Sequence, residues 1–170
     1  PVVFMGYMNP FEAMGAENFC SRAYKSGLDG ILLVDMPPEE SRNFTRAASA
    51  NSLDLIRLIA PTTDEKRIKN ICTDASGYIY YISVKGVTGS NKIDPVEVKS
   101  KVNTIQSMTD LPVVVGFGIK DADSVTSVRD LSDGIVVGSA LVSLIAEGKN
   151  QLSDKISNKI EELSSALLSE

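Results

Sequence analysis

Val113-Val114-Val115-Gly116-Phe117-Gly118-Ile119, followed after one helical pattern by Gly134-Ile135-Val136-Val137-Gly138-Ser139-Ala140, decides the architecture. Each half is a short apolar run ending in glycine. Runs without polar alternation read as strands covered on both faces. Between them, Ala122, Val125 and Val128 after Asp121 make a helical stripe. Gly138-Ser139 then opens a short apolar helix reaching about residue 147, ahead of a longer final helix. In a (β/α)8 barrel, the loops after the last two strands and the N-terminus of a short extra helix commonly build a phosphate site. Helix N-terminal amides favour an anion without a lysine cluster. Either turn alone is equally a tight turn that needs glycine. The two turns and the short helix together point to phosphate.

The same alternation continues upstream. Apolar runs recur at Val2–Met5, Ile31–Val34, Leu55–Ile59 and Tyr78–Ile82. Helical stripes lie between them: Ala16, Phe19, Cys20, Ala23 and Tyr24; a thinner one at Phe44, Ala47 and Ala48; Ile68, Ile71, Cys72 and Ala75; and Val98, Val102, Ile105 and Met108, opened by Asp94-Pro95. The final helix carries Leu152, Ile156, Ile160, Leu163 and Leu167 on one face. Strand–helix repeats of this kind predict a parallel α/β sheet with right-handed crossovers. An open doubly wound sheet usually has a glycine fingerprint after its first strand. Gly6-Tyr7-Met8-Asn9-Pro10 is no such fingerprint, so the (β/α)8 TIM barrel is preferred.

If the last two runs are barrel strands 7 and 8, the first is strand 3. A complete barrel of this type takes ~250 residues. The expectation is a single domain over residues 1–170: six βα units, strands 3–8, without the first two. Pro1-Val2-Val3-Phe4-Met5 reads as a buried strand with no lead-in. A barrel short of two strands has two open edges and an exposed apolar interior.

Composition narrows the function classes. The net charge is -5 with no basic cluster, which argues against nucleic acid and anionic lipid. There is no histidine, so the commonest general base and metal ligand is missing. No metal site is expected. Cys20 and Cys72 on apolar stripes read as buried free thiols, in keeping with a reducing cytoplasm. No apolar run approaches the ~18 residues of a membrane span.

Ligands of parallel α/β folds sit at the C-terminal ends of the strands. The longest loop there is Ser83–Lys92, polar and glycine-rich, with Gly86-Val87-Thr88-Gly89 at its centre. Such loops often close over a site, although a plain connector has the same composition. Asp35 is the one nearby carboxylate. It reads as a loop or partner contact more readily than as an acid. Tyr80 reads as pocket wall more readily than base, its ordinary pKa being ~10.

In this order and spacing, the sequence resembles the tryptophan synthase alpha family. The resemblance rests on Met5–Pro10, Leu32–Pro37, Leu58–Pro61, Gly77–Tyr80, Ser83–Gly89, Gly116–Ile119 and Gly134–Ala140. It implies a (β/α)8 lyase of tryptophan biosynthesis. That enzyme cleaves indole-3-glycerol phosphate to indole and glyceraldehyde 3-phosphate and passes indole to a beta subunit. Pyridoxal phosphate then belongs to the beta subunit, and this chain holds no cofactor. By the same resemblance, Gly89, Gly116, Phe117, Gly118, Gly138 and Ser139 surround the substrate phosphate. Met5, Tyr7 and Leu32 fall in the indole pocket, and Asn9, Pro10 and Pro37 face the partner. Tyr80 lies by the reacting ring, and Thr88 meets the catalytic aspartate on the loop. The family's two catalytic carboxylates lie on strands 1 and 2, upstream of Pro1, so this chain alone is expected to be inactive. Two alternatives stand beside this: a phosphate-sensing barrel that only activates a partner, and a free-standing lyase.

Overall fold

The computed structural model describes residues 1–37, 39, 41–83, 94–116, 118–148 and 150–169. Six strands are present: β1 (Val3–Gly6), β2 (Gly30–Leu33), β3 (Asp54–Ile59), β4 (Ile79–Ile82), β5 (Val113–Gly116) and β6 (Gly134–Val136). The helices are α1 (Met8–Met14), α2 (Ala16–Lys25), α3 (Arg42–Ala50), α4 (Glu65–Thr73), α5 (Pro95–Gln106), α6 (Ala122–Thr126), α7 (Ser139–Ala146) and α8 (Leu152–Leu168). All strand pairs are parallel, and the strand order in space equals the order in sequence. This is a partial α/β barrel, open between β1 and β6 among the described residues.

Local chemistry explains the helix starts. Asp64, Asp94 and Asp121 each accept first-turn amides, and Asp121 forms a reciprocal capping box with Ser124. The Asp121 carboxyl is held below its ordinary pKa by the Ser124 hydroxyl and amide.

Alternation along each strand divides the two faces. Ile31, Leu33 and Leu55 face outward and pack with Phe11, Phe19 and Phe44. The Phe11 and Phe19 rings meet edge to face at 4.5 Å. Ile59, Ile79, Tyr81, Val113 and Val115 form the outer core under α4 and α5. Cys20 and Cys72 are buried and free, and burial pushes the Cys20 thiol up to about 11.

Two expectations need correction. The first run is not buried: Val2, Phe4 and Met5 are 59%, 53% and 56% exposed, because β1 is an edge strand. The stripes of α2 and α8 are also only partly covered. Tyr24, Ile160 and Leu167 are exposed, while Cys20 and Leu163 are buried. α8 packs against α6 and α7 at the other open end of the sheet.

β3 carries a charge inside its apolar run. Arg57 is 4% exposed on the outer face between Leu55 and Ile59. Its Nη1 donates to the Met36 carbonyl at 3.5 Å, and Nη2 lies 4.0 Å from Asp74. Among the described residues, Nε and Nη2 have no hydrogen-bond partner. Burial pulls its pKa down, and Asp74 partly opposes this. Because Asp74 is 41% exposed, water can solvate it once the arginine is gone. Arg57→Met is therefore expected to leave stability unchanged or raise it by up to about 2 kcal/mol in urea unfolding. Asp74→Ala strands a buried cation and is expected to destabilise by about 1–3 kcal/mol. The reverse order would show the pair to be net stabilising.

Candidate functional site

The parallel register decides what lies at the C-terminal strand ends. Ile82 of β4 pairs with Gly116 of β5, and Gly116 pairs with Val136 of β6. The segments leaving these strands therefore start side by side. Ser83 is anchored there: its N–H and its hydroxyl both donate to the Gly116 carbonyl at 3.0 Å.

The three glycines at this edge sit in three different surroundings. Gly118 has φ +79°, a left-handed conformation that side chains disfavour. Gly138, at the start of α7, has open space where a Cβ would sit, so nothing in the described chain demands its lack of a side chain. Gly116 differs from its expected reading. The space beside it is filled by Tyr80, whose hydroxyl and Cζ lie where a Cβ would go, with Cε1 3.1 Å from that point. Among the described residues no side chain caps α7; the Leu141 N–H donates to the Gly138 carbonyl at 3.0 Å, which leaves the Ser139 and Ala140 amides without intrahelical acceptors. Phe117, Thr88 and Gly89 lie outside the described residues, as does 84–92 of the expected Ser83–Lys92 loop.

In-register parallel neighbours point to the same face. Met5, Leu32 and Ile56 form one inward row. Leu58, Tyr80 and Val114 form the next. Leu32 and Ile56 are 2% and 1% exposed, giving an apolar floor, while Met5 is open to solvent at the edge. Tyr80 is half-buried, and burial, with Tyr78 nearby, raises its pKa. It is a protonated phenol that can donate, not a base.

Tyr7, Asn9 and Pro10 are exposed on the turn after β1, and Pro37 is half-buried after β2. Asp35 joins the two turns: its Oδ1 accepts the Met8 N–H at 2.7 Å. A broad groove between α2 and α3, lined by Asn18, Asn43 and Arg46, lies on the outer helical layer, away from the strand ends. Among the described residues, no three Cys, Asp or Glu side chains cluster as a metal site. No described helix is long and apolar enough to cross a membrane.

The turn after β1 contains a helix that the sequence reading passed over, since Asn9-Pro10 reads as a turn. Pro10 sits in the first turn of α1, where its missing N–H costs little. Arg57 was detectable as the one charge inside the run Leu55–Ile59.

Residues 1–168 match the family model described as tryptophan synthase alpha chain. The chain belongs to the tryptophan synthase alpha family. It is 47% identical over 168 residues to the tryptophan synthase alpha chain of Paraburkholderia phymatum, covering 98% of this chain and 62% of that one. Against the alpha chain of Thioalkalivibrio sulfidiphilus it is 52% identical over 147 residues, covering 86% and 55%. A chain of the tryptophan synthase a2b2 complex of Pyrococcus furiosus superposes with a TM-score of 0.85 at 34% identity, covering 97% of this chain and 67% of that one. Tryptophan synthase subunit alpha of Legionella pneumophila gives 0.84 at 34% identity, covering 98% and 62%. The chain thus spans roughly three fifths of the curated alpha chains it matches.

Proposed function

We propose that the full-length protein carrying this chain cleaves indole-3-glycerol phosphate to indole and glyceraldehyde 3-phosphate, a lyase step of tryptophan biosynthesis in the cytoplasm. Family membership over residues 1–168 is the observation that carries this reading. The six strands are barrel strands 3–8. The open edge at exposed β1 and the extra length of the relatives support this.

In this reading the phosphate rests against Gly89, Gly116, Phe117, Gly118, Gly138 and Ser139. The uncapped α7 N-terminus and the open space at Gly138 favour an anion there. Indole lies over Leu32, beside Met5 and Tyr7. Tyr80 holds the ring as a protonated wall, Thr88 belongs to the Ser83–Lys92 segment, and Asn9, Pro10 and Pro37 meet the beta subunit. Binding alone moves no proton. The nearest described carboxylate, Asp35, is occupied by the Met8 amide. By the family resemblance, the acid and base are the two carboxylates of barrel strands 1 and 2, which lie outside the described residues.

The test is to incubate full-length protein with indole-3-glycerol phosphate, with and without the beta subunit, and measure indole. Release that the beta subunit stimulates is the expected result. Phosphate binding with partner activation but no indole would overturn the enzyme reading. Full release that the beta subunit never alters would make it a free-standing lyase.

A further inference from the structure

We propose that Asp35 is a positioning residue that fixes the Tyr7–Pro10 turn to the end of β2; the functional side of this rests on the reading above. The ladder between β1 and β2 runs from Val3↔Gly30 to Gly6↔Leu33, and the Val34 N–H extends it to the Gly6 carbonyl at 3.0 Å. The chain then turns into α1 through Tyr7. Tyr7 has extended backbone (φ -92°, ψ 155°), and its side chain caps nothing. α1 therefore starts without a cap of its own. Asp35, across the strand pair, supplies the missing acceptor by taking the Met8 N–H at 2.7 Å. The far side of the same helix is held by Phe11, 6% exposed against Phe19. Tyr7, Asn9 and Pro10 are exposed, and the turn that bears them is tied through its Met8 amide to one carboxylate from the next strand.

This bond unites two sets of residues. Tyr7 and Leu32 face the substrate in the proposed reading, while Asn9, Pro10 and Pro37 face the partner. Asp35 follows Leu32 by three residues and touches the turn carrying Tyr7 and Asn9. A shift of the partner-facing turn is thereby passed to the indole wall.

The experiment compares Asp35→Ala and Asp35→Asn in the full-length protein. Asparagine keeps an oxygen acceptor for the Met8 amide, and alanine does not. Asp35→Ala is expected to speed hydrogen exchange at Met8 and Asn9 about fivefold, matching the loss of a typical cap. It should also weaken beta-subunit affinity and raise KM for indole-3-glycerol phosphate by about the same factor, with kcat little changed. Asp35→Asn should stay close to wild type in all three. Unchanged exchange in the alanine variant overturns the proposal, as does faster exchange with unaltered affinity and KM. Equal damage in both variants also overturns it, since charge would then be the cause. If the wild-type protein releases no indole and binds no beta subunit, the functional reading fails, while the exchange arm still decides the positioning role.

Discussion

Produced alone, the 170-residue chain is expected to release no measurable indole from indole-3-glycerol phosphate, while the full-length protein does. The strand-end face described above offers amides, an apolar floor and a protonated phenol. None of these is poised to exchange a proton near neutral pH. General acid–base catalysis contributes roughly 10²–10⁴-fold for a single group, so losing both groups should lower the rate by more than about 10⁴-fold. Positioning a phosphate cannot restore this, because it stabilises ground and transition states alike. The chain must be shown to be folded in the same experiment. Exposed Val3, Phe4 and Met5 on edge strand β1 make self-association a competing fate. Circular dichroism and sedimentation establish whether the sheet is present. Indole release from the folded chain within about tenfold of the full-length rate would place a proton-transfer group among these residues and overturn the assignment.

Gly116→Ala is expected to lower stability by about 1–3 kcal/mol, the usual cost of overpacking. It should also raise KM, because the added methyl must push Tyr80 aside. The obstruction includes Cζ as well as the hydroxyl. Adding Tyr80→Phe should therefore give little relief, whereas adding Tyr80→Ala should. In a double-mutant cycle of unfolding free energies, Gly116→Ala with Tyr80→Ala should cost less than the two single losses combined, by about 1 kcal/mol or more. Additivity within about 0.5 kcal/mol would show that Tyr80 is not what requires the glycine.

Much of this arrangement was legible in the residues. Each β1–β6 segment coincides to within a residue or two with an apolar run, because a strand of a parallel sheet covered by helices reads as near-continuous apolar sequence. The helices behind Asp94 and Asp121 were legible from their caps. What could not be read depends on partners distant in sequence. The reason for Gly116 lies on β4, in the length and direction of a tyrosine side chain. The acceptor that starts α1 lies 27 residues away, across the β1–β2 ladder. Local periodicity also predicted a covered first strand, yet its exposure depends on which strand stands beside it.

The strand order carries a consequence for how the chain is made. Each strand from β2 to β6 pairs with the strand that immediately precedes it in sequence. As the ribosome releases each βα unit, the template for its docking is already in place. Pairing can therefore advance in step with translation, from the N-terminal side onward. A pause in synthesis between units would leave a sheet lacking strands at its growing edge only, with every earlier pairing already made.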